Sequence, residues 1–306
     1  MPVPHTSTNF GDLLDPRFQR IYYQQFDQLP DKLPDLFDFP PTNGRNNMTW
    51  SEVGTIGDWN QFSGTVQYSS QSLGYDTTST PLEWVQGIQV ERKLFDDDQY
   101  NIMNQRPAAL AISSNRTRQK HGARIMVNSF SVDNFFYNNT EGVALCSNSH
   151  TTTSPGVSTS SGFDNLGTSA LSAVAVASAR IQMVGYRDDV GGRISVVPSE
   201  LWIPNDLYEV AFEIVESRGK LDVANNNRNV HEGAYQIHEW NYLTNTNDWW
   251  MMDGTMKKQN MHWVDRVGQE FAMVEDFDKL TAKWRGYQRY SNAWTDWRHV
   301  FGSNVS

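Results

Sequence analysis

The chain contains 306 residues, and its 25 Lys and Arg residues against 35 Asp and Glu residues give a formal net charge of -10. This charge disfavours a protein that binds DNA phosphates tightly, although it suits a wall that encloses DNA without binding it. Aromatic residues make up 12% of the chain, with 11 tryptophans, which argues against a disordered polymer.

Export and membrane insertion are not expected. The one cysteine, Cys146, cannot form an intrachain disulfide. Residues 1–30 hold no basic segment followed by an apolar one, and no stretch approaches the roughly 18 apolar residues of a membrane span. We therefore expect a protein of a reducing compartment with no membrane partner.

Residues 1–48 predict an extended N-terminal arm. Seven prolines between Pro2 and Pro41 leave room only for a short helix near residues 17–26. The arm is nevertheless rich in aromatic side chains, which are too many for a solvated tail. They are Phe10, Phe18, Tyr22, Tyr23, Phe26, Phe37 and Phe39. We expect them to dock on this subunit or on a neighbour, and we hypothesise that the arm and the hairpin that follows it clamp neighbouring subunits and lie outside the subunit's own core.

Residues 49–92 predict a long β-hairpin that protrudes from the subunit. Its strands are expected at residues 62–68 and 82–90, where Trp84, Ile88 and Val90 partly alternate with polar positions. The Ser- and Thr-rich residues 69–81 between them are expected to form the tip. Because an isolated two-stranded hairpin is marginal in water, this one also requires a partner surface.

A long helix is predicted over residues 104–130. Its alanines and basic residues favour helix, Pro107 fits the first turn, and the acidic residues 96–98 precede its N-terminus. Only a narrow stripe of apolar or small residues runs along it. We therefore expect a helix that is largely exposed.

Helices and strands are mixed in the remainder of the chain, without a repeat or a regular βαβ alternation, so the fold class is α+β. Helices are predicted from about Thr168 and over residues 205–217, the second with Leu207, Val210, Ala211 and Ile214 inward. Strands are predicted at residues 193–198, 235–243 and 249–252 and through 261–301, with loops at 147–162 and 225–227.

No group of residues predicts catalysis, a metal or a cofactor. His231-Glu232 and His238-Glu239 lack the spacing of a zinc site, and Gly191-Gly192 lacks the other residues of a phosphate loop. Asp96, Asp97 and Asp98 lack the glycine and glutamate of a calcium loop. Cys146 lies close to His150 in sequence, but cysteine is more often a small buried hydrophobe.

The order of these elements resembles the major capsid proteins of tailed bacteriophages, which have the Hong Kong 97-type fold, and among them most closely the Mu-like major head subunits. The matching stretches are residues 84–92 leading into 95–98, Asn165-Leu166 followed by Ala170-Leu171, residues 196–204, and Asp296-Trp297-Arg298. The resemblance extends over most of residues 50–300.

The resemblance implies five regions. These are an N-terminal arm (1–48), an extended loop (49–92), a peripheral domain with a spine helix (93–139), a mostly axial domain (140–255) and C-terminal strands that return to the peripheral domain (256–306). The contacts expected between subunits are Phe18, Tyr22, Tyr23, Phe62, Tyr68, Tyr75, Trp84, Asp96, Asp97 and Asp98.

The family also implies a function without enzymatic activity or cofactors. Copies of the chain would form hexamers and pentamers of an icosahedral shell around double-stranded DNA, in a virion assembled in the host cytoplasm. Other partners would be a portal protein, possible decoration proteins and, since the chain begins with Met and no charged coiled segment precedes the arm, a separate scaffolding protein.

Two alternatives are left open. An encapsulin-type shell resembles the same fold but encloses protein cargo, so the contents of the particle distinguish it. A secreted carbohydrate-active enzyme would use the tryptophans as a sugar platform beside acidic residues, but it predicts a signal peptide.

Overall fold

The computed structural model describes residues 8–66, 68–91, 93, 105–219, 228–276 and 278–305. Within them the helices are α1 (Thr8–Asp27), α2 (Leu33–Leu36), α3 (Gln105–Val127), α4 (Ala173–Val184), α5 (Tyr208–Glu216) and α6 (Gly254–Asn260). The strands are β1 (Met48–Val53), β2 (Leu73–Ser79), β3 (Leu82–Glu91), β4 (Tyr137–Asn139), β5 (Leu166–Gly167), β6 (Glu200–Ile203), β7 (Gln236–Glu239), β8 (Trp249–Met252), β9 (Met261–Asp276), β10 (Thr281–Trp294) and β11 (Val300–Ser303).

The two longest strands, β9 and β10, form an antiparallel pair that β3 extends to three strands in the order β3-β10-β9. One face of this sheet is covered by α1 and α3. Phe18 and Tyr22 of α1 pack there against Trp284 and Phe271, with ring centroids 5.4 Å and 4.8 Å apart.

A five-stranded sheet has the order β5-β11-β8-β6-β7, in which β5 is parallel to β11 and β6 is parallel to β7. All four side chains of β8 are buried, so both faces of this sheet are covered. Helix α4 packs against β8 and β11, and α5 packs against β6 and β7. The helix that follows β8, α6, has Asp253 as its N-cap, and the carboxylate of Asp253 accepts hydrogen bonds from two N–H groups of the first turn.

The third sheet has the order β1-β2-β4. Its central strand lies against β10, where the Ser79 and Ser291 hydroxyls form a buried 2.7 Å hydrogen bond. This sheet is the base from which residues 54–72 extend.

The predicted hairpin is correct in its second strand, which is β3 (Leu82–Glu91), and wrong in its first strand and in its pairing. The described residues between 62 and 68 form no strand, and residues 69–81 contain β2 instead of a polar tip. Strand β3 pairs with β10 and not with a hairpin partner. The reason is that Thr77 and Ser79 are buried and satisfy their hydroxyl groups by hydrogen bonds, so a polar stretch can lie inside a sheet.

The arm contributes to the core of its own subunit, contrary to expectation. Helix α1 begins at Thr8 and continues across Pro16, so the helix is longer than the prolines predict. Leu33, Leu36 and Phe37 are buried in the main core. The hypothesis that the arm lies outside the subunit's own core is therefore wrong for these residues and for Phe18 and Tyr22.

Helix α3 confirms the predicted long helix, but its predicted exposure is wrong. Nine of its residues are buried because α1, β10 and β3 pack around it. Gly122 faces Leu33 of α2 so closely that a Cβ atom there would collide with the leucine. Gln119 donates a 2.6 Å hydrogen bond to Asp31. The arm is fastened to the helix at this point.

For the elements after α3, the structure confirms only some of the predictions made from the sequence. Helix α4 begins after the N-cap Ser172 and not at Thr168. Residues 194–198 form no strand, because the Val197 N–H donates to Asp253 (2.7 Å) and Pro198 has no N–H. Helix α5, β7, β8 and the C-terminal strands are confirmed, although Val210 points outward. Residues 225–227 lie outside the described residues.

Candidate assembly interface

The loop between β1 and β2 presents large apolar side chains to solvent. Trp59, Phe62 and Tyr68 have exposed fractions of 98%, 72% and 93%, and Ile56 and Val66 are also exposed. The described part of the loop, residues 54–66 and 68–72, contains no strand or helix. A single subunit gains nothing from solvated aromatic rings, so this surface indicates contact with another molecule.

The base of the loop is held by hydrogen bonds. The Gly54 N–H donates to the Ser72 carbonyl oxygen (2.9 Å), which closes the loop. The hydroxyl groups of Thr153 and Tyr75 bond to Leu73 O (2.7 Å) and Thr151 Oγ1 (2.6 Å), respectively. Residues 151–154 therefore fix the direction in which the loop leaves the subunit.

A buried arginine connects this base to the C-terminal part of the chain. The Arg298 guanidinium donates to Asp189 (2.8 Å) and Asp296 (3.1 Å) and lies 3.4 Å from Glu52 of β1. Its Nε donates to the Arg187 carbonyl oxygen (2.6 Å). Because one positive charge faces three carboxylates, the cluster carries a surplus of negative charge.

The excess of negative charge affects the pKa of Glu52. Burial and the neighbouring Asp296 and Asp189 carboxylates raise the pKa of Glu52 to about 7, although Arg298 acts in the opposite direction. The same three carboxylates hold the pKa of Arg298 above its ordinary value, against the effect of burial. Glu52 lines a cavity of about 440 Å³ at the base of the loop, together with Arg298, Trp50 and His262. The charge of Glu52 therefore changes near neutral pH.

The structure separates the residues expected to touch a neighbouring subunit. Phe62 and Tyr68 lie together on the exposed loop. Phe18 and Tyr22 are buried against the subunit's own sheet, and the Tyr23 hydroxyl donates to Gln269 O (3.1 Å). Their role in intersubunit contact remains a prediction.

The other expected contacts lie elsewhere. Tyr75 is part of the loop base, and Trp84 is half-buried beside His121 and Tyr290, with ring centroids 4.2 Å and 6.0 Å away. Asp96, Asp97 and Asp98 lie outside the described residues. Tyr75 and Trp84 therefore belong to two different parts of the subunit, the loop base and the β3-β10-β9 sheet.

The residues that the sequence suggested for catalysis or phosphate binding occupy structural positions. They are Cys146, His150 and Gly191. Burial raises the pKa of the Cys146 thiol to about 12, so the reactive thiolate is scarce. His150 does not face Cys146 as a base: its Nδ1 lies 3.1 Å from Glu141 and its ring stacks on Trp297. Gly191 adopts a positive φ of 85° in a turn closed by Asp188.

His238, from the second His-Glu pair, is part of the packed interior of the subunit. His238 is buried, stacks on Trp202 and lies 3.7 Å from Glu200, which is paired with Lys257. Within the part of the chain that the structure describes, no group of three or more His, Cys, Asp or Glu side chains could hold a metal ion.

The tryptophans of the C-terminal half belong to the core. Trp249, Trp250, Trp263 and Trp294 are almost fully buried, and the indole N–H of Trp294 donates to the Tyr137 hydroxyl (2.8 Å). They offer no platform for a sugar, so packing explains them. Among the described helices, none is long and apolar enough to cross a membrane.

Sequence reasoning missed two features of the interface. Trp59 belongs to the exposed loop and carries the signal of a tryptophan among Gly, Asp and Asn residues. The cluster around Arg298 unites residues from three distant segments, and only Asp296-Trp297-Arg298 had been noted, as part of a resemblance. No local pattern could have paired Glu52 with Arg298 because 246 positions separate them.

The fold is shared with solved phage capsid structures. The mature capsid of bacteriophage PhiM1 matches with a TM-score of 0.61 and 10% identity, covering 91% of this chain and 88% of that one. The capsid of cyanophage P-SCSP1u matches with a TM-score of 0.56 and 12% identity, covering 89% and 87%. Mycobacterium phage Che8 gives a TM-score of 0.54 and 13% identity, covering 92% and 96%.

A comparison of the sequence with known protein families identifies the family of this chain. No curated protein matches the chain. The family model for phage capsid proteins matches residues 74–302, which is 229 of the 306 residues and includes β2, β3, α3 and both larger sheets. The chain therefore belongs to the phage capsid protein family, which confirms the expected function as a major capsid protein, a structural component of the virion.

Proposed function

We propose that this chain assembles through its loop at residues 54–72 into the icosahedral shell of a tailed, double-stranded DNA phage. The exposed rings of Trp59, Phe62 and Tyr68 on a firmly held base carry the proposal. Laid on a neighbouring subunit, they would bury apolar surface that water now contacts. Each contact is weak, but repetition around a closed symmetric shell multiplies its effect.

The finer description rests on the resemblance noted above. We propose a Hong Kong 97-type fold of the Mu-like kind, with α3 as the spine helix, β9 and β10 in the peripheral domain, and β5, β6, β7 and β8 in the axial domain. The boundaries 1–48, 49–92, 93–139, 140–255 and 256–306 remain the proposed regions. The chain would act without enzymatic activity, as hexamers and pentamers.

Other partners complete the proposal. A separate scaffolding protein and a portal protein would direct assembly in the host cytoplasm, and decoration proteins could bind the finished shell. The net charge of -10 supports a wall that encloses DNA without binding it tightly.

Shortening the loop tests this function. Replacement of residues 55–71 by a short Gly-Ser linker keeps the pair between Gly54 and Ser72, so we expect a folded subunit with an unchanged circular dichroism spectrum. Closed particles should disappear in electron micrographs. A triple variant with Trp59, Phe62 and Tyr68 replaced by serine should have the same effect at full loop length. Normal particles from both variants would contradict the proposal, and protein cargo in place of DNA would indicate an encapsulin-type shell.

A further inference from the structure

Helix α4 has a second apolar stripe that the subunit does not cover. Its buried side uses Ala175, Val176, Ala179 and Met183 against the five-stranded sheet. On the opposite side, Val174, Ile181 and Val184 follow each other at the seven- and three-residue spacing of a helix–helix contact, with exposed fractions of 77%, 72% and 46%. The small residues Ala177 and Ser178 lie between them and permit close approach of another helix.

Helix α5 has a similar unpartnered face. Ala211, Ile214 and Val215 are buried, whereas Tyr208 and Phe212 are 42% and 50% exposed, with ring centroids 6.1 Å apart. Since Tyr208 and Phe212 are four residues apart, they form one ridge along the outer side. Both helices thus bury one side and leave large apolar groups on the other.

The charges beside the two faces are opposite. Glu209, Glu213 and Glu216 are exposed beside the aromatic ridge of α5. The exposed Arg180 lies beside the stripe of α4, near the rings of His231 and Tyr235. None of these four charged groups forms an ion pair with another described residue. Both faces therefore present large apolar side chains, and the charges beside them are opposite in sign.

We propose that the outer face of α4 in one copy of this chain packs against the outer face of α5 in the next copy. This inference rests on the proposed shell and names the residues of a second contact within it. Val174 and Ile181 would contact Tyr208 and Phe212, and Arg180 would face Glu209 and Glu213. Because the two faces differ, the contact is heterologous, and it forms a ring where the rotation between successive copies closes, as the proposed hexamers and pentamers require.

A charge-reversal experiment tests the pairing. Arg180→Glu brings like charges together, as does the double variant Glu209→Arg and Glu213→Arg, so each should lower the yield of closed particles by about tenfold or more. Combining the reversals on both helices restores opposite charges and should return the yield to within about twofold of the unmodified protein. The matched control Arg180→Lys keeps the charge and should assemble normally. Thermal unfolding of unassembled subunits verifies that every variant folds.

The outcomes separate this contact from the shell itself. If the two single-helix reversals yield particles like the unmodified protein, or if folded subunits with both reversals fail to regain assembly, the pairing of α4 with α5 is wrong and the proposed function stands. If the unmodified protein, folded and produced together with its scaffolding protein, forms no particles, the proposed function fails and the contact fails with it.

Discussion

Replacing Glu52 by glutamine should stabilise the subunit at alkaline pH, although it removes a partner of a buried arginine. Arg298 already has Asp189 and Asp296 at hydrogen-bonding distance, and Glu52 is the third and most distant carboxylate. Glutamine preserves the shape of the side chain and can still accept the hydrogen bond from the Tyr75 N–H. The substitution therefore removes the charge that the cluster cannot neutralise.

The size of the effect follows from the pKa of Glu52, which the fold raises from 4.5 to about 7. One pKa unit corresponds to about 1.4 kcal/mol, and because the side chain is 23% exposed we expect on the order of 1–3 kcal/mol in total. A raised carboxyl pKa means that the folded state binds more protons than the unfolded state between these two pH values. The contribution to stability is thus present below pH 4.5 and is lost as the pH rises through about 7.

Urea unfolding of unassembled subunits between pH 4.5 and pH 8.5 measures this effect. Glu52→Gln should match the unmodified protein at pH 4.5 and exceed its free energy of unfolding at pH 8. The control Glu91→Gln makes the same substitution at an exposed residue of β3, away from the Arg298 cluster, and should not show this gain at pH 8. A lower stability of Glu52→Gln at pH 8 would falsify the reasoning, because Glu52 would then be a net stabilising partner of Arg298.

Three further substitutions and one labelling experiment test other parts of the structure. Gly122→Ala places a methyl group against Leu33 and 3.2 Å from Trp240, so the arm must shift, and urea unfolding should show a loss of about 1–3 kcal/mol. Ser291→Ala, a change of one buried hydroxyl, should cost about 1 kcal/mol by leaving Ser79 with a weaker partner, and an unchanged unfolding midpoint would contradict this. Arg298→Met leaves three carboxylates without their cation, so the free energy of unfolding should fall by about 3 kcal/mol at pH 8 and by less at pH 5. A substitution that only lost packing would lower the free energy of unfolding equally at both pH values. Cys146 should react with a thiol reagent only after unfolding, and rapid labelling of native subunits would show that its surroundings are open.

The sequence predicted those elements whose local signals agree with their environment. The alanine-rich α3 and the Trp-Trp-Met-Met run of β8 were placed correctly because length and apolar character are visible in a short window. Strand β2 was missed since its Thr and Ser residues have the composition of a loop, and their hydrogen bonds across sheets are a property of the fold. The exposure of α3 was misjudged because α1, which covers it, lies about a hundred residues earlier in the chain.

The candidate interface was predicted in its general place and not in its detail. Phe62 and Tyr68 were expected to contact a neighbour, and both lie on the exposed loop, but the loop begins at residue 54 and is not a regular hairpin. The contact between Glu52 and Arg298 joins residues that are 246 positions apart and depends on tertiary packing alone. Local patterns carry no information on such a pair.

Electron cryomicroscopy of particles formed when the protein is produced together with its scaffolding protein tests the proposed assembly. We predict closed icosahedral shells of uniform diameter in which residues 54–72 lie on an adjacent subunit and bury Trp59, Phe62 and Tyr68. A protein that stays monomeric while folded, or a shell in which this loop contacts only its own subunit, would contradict it.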